Sequence, residues 1–300
     1  MSGQSHSLTP SFRRMSSPGA VPNSSTPETL VAGLGALPPT AQILVRLQSL
    51  LADTNSDLDD ISALLRLDAA MTTRVIKISN STWYNRGSPC HTIEESVNRI
   101  GFSEVFEVVS IAVSSALVAQ PLAAYGRGAI SIWRESVACA LAGELIAESL
   151  GEDSSTSFMN GLLHAIGRQA INRYAVAVGK LLADEGFPRD HSGAEFVLLG
   201  YTQAEVGACL LKKWNFIPEN IQPIRNQYTP TEAPEPHDRL AVILYAARLL
   251  STAVCSGQAV PEVAGEEDIL GLVRQSREDI LVHRASLEAK LARAEQIVRI

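Results

Sequence analysis

The sequence predicts an all-α fold, a multi-helix bundle, on three observations. Apolar residues recur at helical spacing along most of the chain, as in Ile43, Leu44, Leu47, Leu50 and Leu51, which share one helical face. No alternating apolar–polar run bounded by hairpin turns occurs, and there is no internal repeat. Aromatic content is only 5% while total hydrophobic content is 46%, a balance rich in Leu, Ala, Val and Ile that suits helix-on-helix packing better than a β-sandwich.

A chain of 300 residues can bury a sizeable core. Its net charge of -7 argues against a broad nucleic-acid surface, which needs basic excess. Cys90, Cys139, Cys209 and Cys255 are far apart and form no CxxC pair, so buried thiols in a reduced, cytoplasmic compartment are expected. The N-terminus lacks the apolar core of a signal peptide. The longest apolar run, Val105 to Ala119, is broken by Ser110, Ser114 and Ser115, and falls short of the ~20 residues a membrane-spanning helix needs. It is expected to be a buried helix, with no membrane insertion.

Taken in order, residues 1–27 read as a disordered Ser/Pro-rich tail whose composition cannot offset its ordering entropy. Leu37-Pro38-Pro39 then opens the first helix, the prolines presetting its start. Asp57 and Asp68 are N-caps for two short helices, the second running to about Ser81. Asn80, Trp83 and Tyr84 lie in a polar-aromatic loop that either plugs the end of the core or forms an interaction surface. Thr92 and Glu95 form a capping box, and Gly101 ends that helix. Ser103 is expected to cap the apolar helix that Pro121 terminates. A long helix follows from Ile130 to Leu150, stopped by Gly151. The periodicity then predicts one helix from Phe158 to Val178, with Gly161 and Gly167 marking a close helix approach or a bend. Ser192 with Glu195, and Thr202 with Glu205, read as two more capping boxes, the glutamates serving as helix-start residues. Further helices are expected from Pro218 to before Pro230 and from Asp238 to Val254. After a Gly/Pro-containing connector, a last helix runs from Ser276 to the end, with Ile280, Leu287, Leu291, Ala294 and Val298 as its apolar stripe.

Several of these stretches together resemble the HDOD family, the HD-related output domains of bacterial signalling. They are Leu37-Pro38-Pro39, Arg66-Leu67-Asp68-Ala69-Ala70-Met71-Thr72, Ile78-Ser79-Asn80-Ser81 with Tyr84, and Thr92-Ile93-Glu94-Glu95-Ser96 leading to Ile100-Gly101. Gly161-Leu162-Leu163-His164-Ala165-Ile166-Gly167 follows, then Ala204-Glu205-Val206-Gly207-Ala208 with Leu210, Leu211 and Trp214. The resemblance implies an HD-like helical bundle related to metal-dependent phosphohydrolases. It divides the chain into the tail, an HDOD domain at 28–255, and a linker with a helix at 256–300. The domain itself would comprise an N-terminal helical part, 28–125, and a degenerate HD-like core, 126–255.

The HD chemistry needs several imidazoles and carboxylates converging on one or two divalent metals that activate water. Matched onto this sequence, the first-histidine position falls on Glu135, and the His-Asp pair reads His164-Ala165. The next histidine position falls on Gln203, and the later pair on Gln227-Tyr228. His164 is the one imidazole left, and glutamines are poor ligands. The expectation is therefore no metal, no cofactor and no catalytic residue. Glu135, His164, Gln203 and Gln227 remain as a vestigial pocket, or His164 as a hydrogen-bonded core histidine. No GxSxG, P-loop, HExxH or dinucleotide fingerprint occurs, and Cys90-His91 has no evident orienting carboxylate. The function expected is a non-catalytic regulatory module that binds signalling or regulatory proteins. The alternatives are a sensor of a nucleotide-type ligand or a weak residual phosphohydrolase.

Overall fold

The computed structural model describes residues 25–37, 39–53, 55–84, 87–182, 192–260, 263 and 265–299. Most of the predicted tail, residues 1–24, lies outside them. Its last residue, Pro27, already opens a helix, α1 (Pro27–Ala32), whose N-cap Thr26 exchanges reciprocal bonds with Thr29.

The helices α2 (Pro39–Ala52), α3 (Leu58–Arg66), α4 (Ala69–Ser79) and α5 (Ile93–Ile100) follow. Asp57, Asp68 and Thr92 cap the last three by accepting from orphan backbone N–H groups, as their spacing required. Gly101 takes φ 94, a conformation open to glycine, and lets α6 (Phe102–Val118) begin at once. Ser103 therefore lies inside the first turn of α6 and is not its cap.

Next come α7 (Ala129–Leu150), ended by left-handed Gly151, and α8 (Ser154–Leu163). The single helix expected over 158–178 is in fact two, with α9 (Gly167–Ala177) following a turn at His164–Ile166. The turn tightens to i→i-3 bonds, with Ile166 N–H donating to Leu163 O at 3.0 Å and Arg168 N–H to Ala165 O at 3.1 Å. It redirects the chain so that α8 packs on α7, while α9 packs on α11 (Gln203–Lys213), which follows α10 (Ser192–Leu199). Both close approaches are glycine contacts. A Cβ on Gly161 would sit 2.4 Å from Cys139 O, and one on Gly167 2.1 Å from Gln203 O.

The chain closes with α12 (Pro218–Arg225), α13 (Asp238–Ser256), α14 (Glu266–Gly271), α15 (Arg277–Leu281) and α16 (Arg284–Arg299). The expected irregular connector thus contains a helix, and the expected last helix is broken at Val282–His283. Ile280, Leu287, Leu291 and Ala294 are buried as the stripe required. No strand occurs among the described residues; one isolated bridge pairs Leu122 with Arg127.

The hub is α7, packed against α6, α8, α13 and α16. Twelve of its residues are buried, several of them alanines that let neighbouring helices come close. Among the described residues α13 alone is long and apolar enough to cross a membrane, and 61% of its apolar window is buried within the bundle.

α16 docks over α6 and α7 through an ionic triad: Lys290 Nζ lies 2.9 Å from Glu107 and 2.6 Å from Glu144. Burial, and then the neighbouring Glu107 carboxylate, push Glu144 up to about 7, with Lys290 pulling the other way. A carboxyl whose folded pKa exceeds its unfolded value makes the fold bind more protons than the unfolded chain. Stability is therefore expected to decline as pH rises from about 4.5 to about 7 through this group. Glu144→Gln should flatten that decline, read as urea midpoints at pH 5 and pH 7.5. An unchanged slope would exclude Glu144 as its source.

Candidate functional site

The turn at His164–Ile166 sits at the centre of a buried polar network drawn from several segments of the chain. His164, the C-cap of α8, is 3% exposed. Its Nδ1 lies 2.7 Å from Gly161 O, which places the proton on Nδ1, and its Nε2 faces Glu135 Oε1 at 3.9 Å, an ion-pair distance beyond a hydrogen bond. Glu135, on α7, is also reached by Arg127 at 2.6 Å and by Arg168 at 3.4 Å. The Leu122–Arg127 bridge holds the Arg127 end of this contact, at the site's solvent edge.

Arg168 projects from the first turn of α9 and is 5% exposed. Its Nε is 4.0 Å from Glu195 Oε1. Glu195 itself is fully buried, accepting from Tyr125 Oη at 3.0 Å and from the Gln203 backbone N–H at 2.7 Å. The capping-box reading of Ser192 and Glu195 is therefore corrected. Ser192 is the first residue of α10, and Glu195 turns into the core to cap the start of α11 instead. Thr202 and Glu205 do form their expected box on the outside of the same helix start.

The two glutamines bind backbone, not a shared void. Gln203 Nε2 and Gln227 Nε2 each donate to His164 O at 2.9 Å. That carbonyl is one of those freed where α8 stops. Gln203 Nε2 also reaches Tyr228 Oη at 3.1 Å, and Arg248 stacks 4.3 Å over the Tyr228 ring. The other three predicted positions thus converge on His164, Glu135 through its ring and the two glutamines through its carbonyl. A void of about 10 Å³, near the size of one water, lies alongside, lined by Ile132, Ser136, Ala165, Ile166 and Gln169 among others.

The electrostatics follow from burial and neighbours. Burial favours the neutral form of Glu135, but His164, Arg168 and Arg127 outweigh it and hold the carboxyl well below the usual range. Burial likewise opposes an imidazolium at His164, yet the adjacent Cys139 sulfur and the Glu135 carboxylate push its pKa up to about 9. Burial and Glu195 raise the Tyr125 phenol, so it remains a donor. At neutral pH the site is an internal salt network with His164 and Arg168 as its buried cations.

A divalent metal, which HD chemistry implies, does not fit this donor set. The Arg168 guanidinium occupies the approach to Glu135, the His164 Nδ1 is taken up by Gly161 O, and both glutamine amides present N–H groups to His164 O. Among the described residues no group of three or more His, Cys, Asp or Glu is placed to hold a metal.

The aromatic loop is divided in its roles. Asn80 is a loop staple, exchanging two bonds with the Cys90 backbone at 2.8 and 2.7 Å. Tyr84 is buried, with Arg293 of α16 lying 4.7 Å over its ring. Trp83 alone of the three stays half exposed, its Nε1 donating to Gln296 at 2.8 Å.

Sequence reasoning missed Arg168, Glu195 and Tyr125 as members of the network. Arg168 carried the only local signal, a basic residue one turn beyond His164 in an otherwise apolar stretch.

The chain belongs to the HDOD domain family, whose model matches residues 37–230. Its fold is shared with an HDOD domain protein from Geobacter sulfurreducens (22% identity, TM-score 0.67, covering 90% of this chain and 96% of that one). It is also shared with a candidate signal transduction protein from Marinobacter aquaeolei VT8 (22%, TM-score 0.64, covering 89% of this chain and 61% of that one). A candidate phosphohydrolase from Shewanella amazonensis SB2B is likewise similar (23%, TM-score 0.60, covering 92% and 98%). An uncharacterized protein of Treponema pallidum (strain Nichols) is 24% identical over 210 residues; the match takes in 68% of this chain and 40% of that protein. The chain thus spans about two fifths of the length of this curated relative.

Proposed function

We propose that this chain is a non-catalytic signalling module that acts by binding other proteins. The observation that carries the reading is Arg168: a buried guanidinium, set between Glu135 and Glu195, supplies the positive charge where a phosphohydrolase of this fold would hold its metal. A fixed side-chain cation has no open coordination position, so it cannot present a bound water to a phosphate ester. What remains of the site serves to hold α7, α8, α9 and α11 together, leaving function to the surface. A second reading, a small-ligand sensor, has one observation in its favour: Gln203 Oε1 and Gln227 Oε1 are buried acceptors with no hydrogen-bond partner.

The test is elemental mass spectrometry and phosphoester turnover on protein purified without a polyhistidine tag. The expected result is background manganese, iron, zinc and nickel, and no turnover. Near-stoichiometric metal with turnover abolished by His164→Ala would overturn the reading. A nucleotide-dependent melting shift lost in Gln203→Ala would move it to the sensor.

A further inference from the structure

Away from the central network, a groove of about 480 Å³ runs between the α1–α2 connection and the end of α11. Leu34, Leu37, Val45 and Trp214 supply its apolar lining, and Arg46 and Lys213 its charge. Among the described residues no carboxylate lines it, in a chain whose net charge is -7.

The groove is built from fixed parts. The Trp214 ring is half buried and its Nε1 donates to Gly35 O at 3.3 Å. Lys213 Nζ donates to Val31 O at 3.1 Å and Leu34 O at 2.6 Å, closing the carbonyls at the end of α1 and pinning the α1–α2 connection to α11. Asn215 takes φ 60, and Phe216 N–H returns to Leu211 O at 3.0 Å, so α11 stops sharply beside the groove. Arg46 is exposed and makes no ion pair among the described residues.

The charge decides what fits. The chain before Ser25 carries Arg13 and Arg14 and no Asp or Glu, so its own N-terminal segment has the wrong sign for this groove. We propose that the groove docks an acidic, apolar segment of a partner protein, its carboxylates meeting Arg46 and Lys213 and a Leu or Phe side chain packing against Trp214. This rests on the protein-binding function above and names one surface for it. Apolar anchors flanked by charge pairs are how short segments gain both affinity and register.

The experiment uses the full chain and random-peptide display, followed by fluorescence anisotropy with the enriched peptides. Enriched peptides should combine Asp or Glu with Leu, Phe or Trp. Arg46→Glu, on an exposed helical position that tolerates glutamate, should weaken them about tenfold or more, the equivalent of about 1.4 kcal/mol. Exchanging Asp for Lys in the peptide should restore binding to Arg46→Glu, which a folding defect would not do. Failure to enrich such peptides, or basic peptides enriching equally, would overturn the proposal. Peptides that bind Arg46→Glu undiminished would also overturn it while leaving the protein-binding function standing. Self-association lost in Arg46→Glu would replace the partner by a second copy.

Discussion

Arg168→Met is expected to destabilise the fold by about 3–5 kcal/mol, the range for removing one member of a buried ion pair. The loss arises less from the contacts removed than from the charges left behind. Glu195 is fully buried, and removing the guanidinium takes a cation from beside a carboxylate that accepts from the Tyr125 hydroxyl and the Gln203 N–H. Glu135 keeps Arg127 and His164 and is less affected. At about 2–4 °C per kcal/mol for chains of this order, melting should fall by roughly 10 °C. The double variant Arg168→Met with Glu195→Gln should recover part of the loss, because the uncharged amide can accept the Gln203 N–H through its oxygen while its NH2 donates to the Tyr125 hydroxyl. Urea denaturation followed by helical circular dichroism measures both. A single-variant loss below about 1 kcal/mol would mean the network is not holding these helices, since ordinary surface substitutions stay within about 0.5 kcal/mol.

Where a feature depended on local chemistry, it was legible in the sequence. Asp57, Asp68, Thr92 and Thr202 cap the helices their spacing announced, and Gly151 ends α7 in the left-handed form that favours glycine. The HDOD resemblance also brought Glu135, His164, Gln203 and Gln227 to one place, which no periodicity would have done. What misled was a local pattern satisfied from elsewhere. Ser192 and Glu195 have capping-box spacing, but Glu195 finds the unpaired N–H of Gln203, eight residues on, and a buried arginine from α9. Likewise the apolar run from Phe158 to Val178 continues at helical period through the turn, because its residues are buried on both sides of the bend. Period reports burial, and burial persists where the helix does not. Arg168 was hidden for a similar reason: its partners come from α7 and α10, far away in sequence.

Gly167→Ala is expected to be the most disruptive single methyl in the molecule, followed by Gly161→Ala. Alanine raises helix propensity by about 1 kcal/mol at an interior site such as Gly161, and by less at Gly167, the first residue of α9. Against that gain stand backbone atoms that cannot rotate aside. The added Cβ at Gly167 would lie 2.1 Å from Gln203 O and 2.6 Å from Gly207 N, and at Gly161 2.4 Å from Cys139 O. Overpacking typically costs about 1–3 kcal/mol and sometimes more, and a clash with backbone belongs at the upper end. The helices must therefore move apart, and at Gly167 the displaced element is the start of α11, which carries Gln203. Parting α9 from α11 would stretch the Gln203 bond to His164 O and draw Arg168 from Glu195, so packing and network should fail together. Gly207→Ala is the internal control. It faces the same junction, but its Cβ would meet its nearest neighbour at 3.4 Å, so its effect should be small. Chemical denaturation of the three variants should rank them Gly167, Gly161, Gly207 in descending loss. A Gly167→Ala protein as stable as the parent would show that α9 and α11 do not meet at this glycine, and the site built on their contact would have to be redrawn.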